Sequence, residues 1–149
     1  MEYCVDLWNP MFQGDINKME RVQNRMTRLL LDSRNRSRED RNNVLGITSH
    51  EQRRNRGDLI STFKYLEKNE LFTLSQNNRT RGNDKKIQRP NYQSTIKRHS
   101  FAYRCIDQWN RLPNYVGNSR SLKEFKINID NYLLDSWMFM YQSLHTNVF

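Results

Sequence analysis

The chain has 149 residues, and 25 Lys and Arg against 16 Asp and Glu give it a formal net charge of +9. Hydrophobic residues make up 36% and the mean hydropathy is −1.00, which leaves room for one modest core or two small lobes and excludes a multidomain enzyme. A pI near 9.8 is typical of a protein that meets a polyanion. We expect nucleic acid rather than a membrane, because most of the cations are arginines spread along the chain.

The sequence predicts no metal, cofactor or membrane span. Cys4 and Cys105 form no C-x-x-C pair, and no histidine has a second His or Cys three or four residues away. The N-terminus lacks the basic and apolar regions of a secretory signal. The most apolar tract, residues 137–141, is far shorter than the roughly 20 residues that cross a bilayer. These features favour a nuclear or cytoplasmic protein with reduced thiols.

The clearest element is a helix predicted over residues 15–31. Its apolar side chains recur at helical spacing on one stripe: Ile16, Met19, Val22, Met26, Leu29 and Leu30. Four cations form a second row on a neighbouring side: Lys18, Arg21, Arg25 and Arg28. We therefore expect the stripe to be buried and the row to face outward. A solvated surface and a ridge that follows a phosphate backbone both fit such a row.

A short second helix is predicted behind an arginine-rich linker. Ser37 and Asp40 have the spacing of an N-cap and its third helical residue, which predicts a helix that runs to Leu45. Gly46 suits its end, because glycine readily adopts the left-handed conformation found there.

The third helix is predicted over residues 49–68, behind a capping box formed by Thr48 and Glu51. Its second half is apolar. Its first half carries three cations that fit a wet surface or phosphate contacts: Arg53, Arg54 and Arg56. Asp58, four residues after Arg54, is expected to pair with it rather than to act as a catalytic base.

Residues 75–94 have almost nothing to bury and predict a loop or a loose hairpin. Its cations are Arg79, Arg81, Lys85, Lys86 and Arg89. Tyr92 beside them fits base stacking, a buried tyrosine or an ordinary loop position. Residues 95–100 predict one short strand that pairs with residues 86–88.

Two more helices follow. The first runs from an N-cap at Ser100 to Pro113, which ends it. Its apolar residues are Phe101, Cys105, Trp109 and Leu112. The second begins at a capping box formed by Ser121 and Glu124. Its apolar residues are Leu122, Phe125, Ile129, Tyr132 and Leu133.

These elements predict a mainly α-helical fold, a small domain of about four or five helices with at most one short β-hairpin near residues 85–100. The domain is expected to cover residues 1–134. Beyond Leu134 the helical period is lost, so residues 135–149 are expected to form an apolar tail.

The sequence contains no common catalytic motif. No glycine-rich phosphate loop, nucleophile elbow, H-E-x-x-H or Tyr-x-Asp-Asp occurs, and no two aspartates are adjacent. Two-metal phosphoryl transfer needs carboxylates that converge on ions about 4 Å apart. The acids here lie among arginines and lysines, so we expect no catalytic residue and no enzyme acting alone. An independent nuclease would require metal-dependent cleavage by the isolated chain.

Short motifs follow one another in a fixed order from Glu2 to Leu134. The first are Tyr3-Cys4, Trp8-Asn9-Pro10, Asp15-Ile16, Glu20-Arg21-Val22-Gln23 and Arg25. Next come Leu45-Gly46, Arg53-Arg54, Arg56-Gly57-Asp58-Leu59-Ile60, Phe63-Lys64 and Thr80-Arg81-Gly82. The last are Phe101, Arg104, Trp109-Asn110-Arg111-Leu112-Pro113, Ser121, Phe125-Lys126 and Tyr132-Leu133. In order and spacing they resemble the stretch that follows the polymerase core in reverse transcriptases of non-LTR retrotransposons of the Jockey and CR1 type.

The resemblance implies a thumb-proximal, C-terminal piece of an RNA-directed DNA polymerase, whose metal-binding aspartates lie upstream and have no counterpart here. Its partners would be template RNA or primer DNA, and the polymerase core of the parent enzyme. Asn83 departs from the pattern, in which His follows Thr-Arg-Gly, and the tail has no matching pattern.

The predicted function is therefore non-catalytic binding of RNA or DNA through phosphate contacts, which give affinity with little sequence readout. The residues expected to make them are Lys18, Arg21, Arg25, Arg28, Arg53, Arg54, Arg56, Arg79, Arg81, Lys85 and Lys86. The alternative is a helical interaction module. In it the first helix and Trp137, Phe139 and Tyr141 present an apolar surface to the polymerase core or to a second copy.

Overall fold

The computed structural model describes residues 4–10, 12–31, 36–76, 83–91 and 100–145, with the side chains of the last helix described as far as Asp135. The fold is mainly α-helical, as predicted, and no sheet occurs within these ranges. The helices are α1 Val5–Trp8, α2 Gln13–Leu31, α3 Arg38–Val44, α4 His50–Glu67, α5 Phe101–Asn110, α6 Asn114–Gly117 and α7 Leu122–His145. None of the helices described is long and apolar enough to cross a membrane.

The predicted N-cap of α3 is confirmed. The backbone N–H of Asp40 donates to Ser37 Oγ over 3.0 Å, which satisfies one of the amides that a helix leaves without a partner at its start. Leu45 is the C-cap, and Gly46 follows it with φ +62°. Glycine has no Cβ that would oppose this left-handed conformation, so it ends the helix at little cost.

The capping box of α4 lies one residue later than predicted. Ser49 Oγ accepts the N–H of Gln52 over 3.1 Å, and Gln52 Oε1 accepts the N–H of Ser49 over 2.9 Å. The prediction of a Thr48–Glu51 box was wrong, because Ser49 and Gln52 offer the same reciprocal pairing. The N–H of Glu51 donates instead to Glu20 Oε1 of α2 over 2.8 Å.

The chain forms two compact units, residues 1–58 and 59–149. The boundary falls within α4, so this helix supplies its first half to unit 1 and its second half to unit 2. Near the C-terminus, α7 continues through residues 135–145. The sequence predicts an apolar tail there, because the apolar residues lose their helical period. Leu, Met and Gln in this stretch have good helix propensity, so a helix continues there without a repeating apolar face.

Unit 2 has an apolar core built on α5. Its buried residues are Leu59, Ile60, Phe63, Ile87, Ile106, Trp109, Leu112, Val116, Phe125 and Ile129. The ring centroids of Phe63 and Phe125 lie 4.4 Å apart, and those of Trp109 and Phe125 lie 5.7 Å apart. Trp109 has no exposed surface, and its Nε1–H donates to the carbonyl oxygen of Lys85 over 2.8 Å. The apolar faces predicted for α5 and α7 are thereby confirmed.

Residues 86–88 pair with residues 73–75 in an antiparallel bridge between Leu74 and Ile87. The N–H of Ser75 donates to the carbonyl of Lys86, and Asn110 of α5 bonds both the N–H and the carbonyl of Ile87, over 2.8 and 3.0 Å. The predicted partner strand, residues 95–100, falls almost entirely on residues outside the described ranges.

Asn83 is buried and packs against Gly117. Its Oδ1 accepts the N–H of Lys85 over 2.8 Å. A Cβ built on Gly117 would lie 2.3 Å from the Asn83 side chain, so the glycine leaves room that no other residue would leave.

Candidate nucleic-acid interface

Helix α2 buries polar residues and exposes apolar ones. Its buried side chains are Glu20, Gln23 and Thr27. Its exposed apolar side chains are Val22, Met26, Leu29 and Leu30, whereas Ile16 and Met19 are half-buried. The prediction that the apolar stripe of this helix packs into the interior was therefore wrong.

The reason is a polar network that joins α2 to α3 and to the residues just before α4. Arg41 of α3 is buried, and its guanidinium donates to Thr27 Oγ1 over 3.3 Å, to Asn24 Oδ1 and to the carbonyl of Arg36. Gln23 Nε2 donates to the carbonyl of Thr48 over 2.9 Å. A guanidinium has five donors and no acceptor, so it can be buried only where several oxygens converge, as they do here.

This orientation leaves the cationic row of α2, defined as Lys18, Arg21, Arg25 and Arg28, on the outside. All four side chains are exposed. At 100° per residue they lie within an arc of about 80° and extend about 15 Å along the helix. Lys18 Nζ lies 2.8 Å from Asp15 Oδ1, an exposed pair of the kind that contributes little stability. Arg21, Arg25 and Arg28 have no carboxylate partner among the residues that the structure describes.

The arginines predicted on α4 are placed differently. Arg54 is 1% exposed, and its Nε donates to Asn9 Oδ1 over 3.0 Å. Asn9 Nδ2 in turn donates to Asp58 Oδ2 over 3.0 Å. The Asn9 amide therefore bridges Arg54 and Asp58, which the sequence predicts to pair. Arg54 has almost no surface that a phosphate could contact, and we assign it to the interior of unit 1. Sequence reasoning missed Asn9, because a single amide before a proline carries no periodic signal.

Arg53 is half-buried and also serves unit 1. Its guanidinium donates to the carbonyl of Thr48 over 2.7 Å and to Gln23 Oε1 over 2.9 Å. Arg56 is half-buried too. The structure thus brings together the four cations of α2 as an exposed group and gives two of the three α4 arginines packing roles.

The loop cations fall into two groups. Lys85 is exposed, but Lys86 is buried, so the prediction of a phosphate contact does not fit Lys86 as it is placed. Arg79 and Arg81 lie outside the described residues, as does Tyr92. No group of three His, Cys, Asp or Glu side chains suited to a metal occurs in the described ranges.

Comparison with protein-family models, with curated proteins and with solved structures finds no match to this chain.

Proposed function

We propose that the chain is a non-catalytic, nucleic-acid-binding piece of a reverse transcriptase of the non-LTR retrotransposon type. It contacts the phosphates of template RNA or primer DNA. The observation that carries this proposal is the cationic row, because it presents four exposed cations on one side of one helix. The motif resemblance supplies the class of enzyme and the nature of the strand.

The physical basis is the release of counterions. Each phosphate neutralised by Lys or Arg frees condensed cations, so log K falls with log salt by about 0.7 per contact on a single strand. Four contacts from the cationic row then give a slope near −3. A net charge of +9 adds a long-range attraction that raises the association rate at low salt.

Burial narrows the predicted set of contacts. Lys18, Arg21, Arg25 and Arg28 remain the main candidates, with Lys85 as an exposed cation of unit 2. Arg79 and Arg81 stay predictions. Arg53 and Arg54 are assigned to packing by their hydrogen bonds within unit 1, and Lys86 by its burial. Arg56, which is half-buried, also stays a prediction.

The test is fluorescence anisotropy of a labelled, mixed-sequence single-stranded RNA with the full chain, between about 50 and 200 mM salt. The triple variant Arg21→Gln, Arg25→Gln, Arg28→Gln should reduce the magnitude of the slope by about 2 and weaken binding about 100-fold at 0.1 M salt. Repeating the titration with DNA of the same sequence measures the preference between the two strands.

A matched control removes the same charge from the other unit. Arg120, Lys123 and Lys126 are exposed at the start of α7, and their replacement by Gln also lowers the net charge by three. The fold-loss of RNA affinity in the control variant should be less than about a tenth of the fold-loss in the α2 variant. Equal losses would show that net charge alone matters, and an affinity that does not change with salt would remove the basis of the proposal.

A further inference from the structure

A second exposed surface lies on α2 beside the cationic row. Val22, Met26 and Leu29 are 49%, 53% and 70% exposed. We call these three residues the apolar seam. Their spacing of four and three is that of the a and d positions of a helix that packs along another helix. At 100° per residue the centre of the seam lies about 90° from that of the cationic row.

The described part of unit 1 buries few apolar side chains. Among its described side chains, the buried ones are all polar or charged: Glu20, Gln23, Thr27, Arg41, Asn42, Arg54 and Asp58. Leu7, Phe12 and Val44 are exposed as well. Burial of apolar surface is the main favourable term in folding and in association. A partner that covers the seam would therefore add apolar burial, which the described side chains of unit 1 supply little of among themselves.

Charge decides which partner fits. In heptad terms, Met19 and Met26 occupy a positions, and Lys18 and Arg25, which directly precede them, occupy g positions. The flanking residues of a helix packed on the seam would therefore lie beside Lys18 and Arg25. A second copy of α2 would bring the same cations to this border, and each copy carries a net charge of +9. A partner with carboxylates at its flanking positions would instead pair with the row.

We propose that the apolar seam of α2 binds an acidic amphipathic helix of another polypeptide. Its apolar stripe packs on Val22, Met26 and Leu29, and its carboxylates face the cationic row. The contact extends about 10 Å, two turns of each helix. This inference goes beyond nucleic-acid binding and does not depend on it. Because both ligands use the cationic row, the acidic helix and RNA would compete.

The probe is a fluorescein-labelled synthetic helix with Leu at its a and d positions and Glu at its e and g positions, where repulsion between the glutamates keeps it monomeric. Anisotropy with the full chain should show saturable binding. The variant Val22→Gln, Met26→Gln, Leu29→Gln should weaken it at least about tenfold. Gln is a good helix former and the three sites are exposed, so far-UV circular dichroism should show an unchanged helix content.

Two controls separate this surface from general stickiness and from RNA binding. Ile127 and Leu134 of α7 are 53% and 52% exposed, so their replacement by Gln removes exposed apolar surface from the other unit and should leave peptide affinity unchanged. The seam variant keeps all four cations of the row. It should therefore bind RNA as the unchanged chain does, whatever the outcome for the peptide.

Several results would overturn the proposal. One is equal affinity of the seam variant for the Glu peptide, and another is equal affinity of the unchanged chain for a peptide with Lys in place of Glu. A dimer seen by sedimentation and lost in the seam variant would assign the seam to a second copy. Binding to vesicles of anionic lipid that is lost in the seam variant would assign it to a lipid surface.

Discussion

The two units differ in what they bury. Unit 2 packs aromatic and aliphatic side chains around Trp109, whereas the described buried side chains of unit 1 are polar or charged. Apolar burial depends little on the exact partner, while a polar interior requires a donor for each acceptor. Periodicity therefore predicts the first kind of interior well and the second kind poorly.

The polar interior of unit 1 also carries a cost. Glu20 Oε2 and Arg54 Nη2 of unit 1 are buried and lack a hydrogen-bond partner within the described part of the chain, as does Asn83 Nδ2 of unit 2. Arg38 Nη1 lies 3.9 Å from Glu20 Oε2, beyond hydrogen-bond distance. A buried polar group without a hydrogen bond costs about 1–3 kcal/mol. We therefore expect unit 1 to be the less stable of the two, and we expect the two interiors to respond differently to substitution.

The largest effect is expected at the centre of unit 2. Trp109→Ala removes a fully buried indole and its hydrogen bond to Lys85, so it should lower the free energy of unfolding by about 3–5 kcal/mol. Urea unfolding followed by far-UV circular dichroism measures the loss. Leu134→Ala, at a site about half exposed, should cost far less. A loss below about 1 kcal/mol for Trp109→Ala would contradict the assignment of this core.

The next test removes the central cation of unit 1. Arg41→Met keeps much of the side-chain volume but leaves Thr27, Asn24 and the carbonyl of Arg36 without their donor, and should cost about 2 kcal/mol. Arg41→Lys should also destabilise, because an ammonium cannot reproduce the planar fork. Should Arg41→Met instead stabilise the protein in urea unfolding, apolar packing would suffice in unit 1 and the contrast between the units would disappear.

An effect of similar size is expected where α6 meets Asn83. Gly117→Ala places a methyl group 2.3 Å from the Asn83 side chain and should cost about 1–3 kcal/mol. Gly14→Ala is the matched control, since a Cβ there meets nothing within 4 Å. Alanine in this helical position should stabilise the protein by up to about 1 kcal/mol. In an Asn83→Ala background, Gly117→Ala should cost less, and strict additivity of the two changes would contradict the contact.

Particular residues show how far sequence reasoning reaches. The face of Cys105, Trp109 and Leu112 was predicted because it is the only stripe of apolar residues at helical spacing in that stretch, while Asp107 and Arg111 lie on the opposite side. On α2, the apolar residues and the polar residues both recur at helical spacing. Which set is buried depends on Arg41, which is distant in sequence and supplies the donors for Thr27 and Asn24. No local pattern records that choice.

The same limit applies to the candidate site. The exposure of the cationic row was expected, but the burial of Arg54 follows from Asn9, which lies 45 residues away. Lys86 is buried in unit 2, where its backbone carbonyl accepts from Ser75 in the bridge. Lone amides and loop lysines carry no periodic signal, so their partners could not be predicted.

The smallest effects are expected at the N-termini of the helices, where capping residues close in sequence should predict the structure in both units. Ser49→Ala removes the acceptor of the Gln52 N–H at the start of α4 and should cost about 1 kcal/mol. Ser121→Ala, which removes the acceptor of the Glu124 N–H at the start of α7, should cost a similar amount. Thr48→Ala should cost less than about 0.5 kcal/mol, because only the backbone carbonyl of Thr48 accepts from Gln23 and Arg53. If Thr48→Ala costs more than Ser49→Ala in urea unfolding, α4 begins one residue earlier than the structure shows. The hydrogen bond from the Glu51 N–H to Glu20 Oε1 would then not form as described.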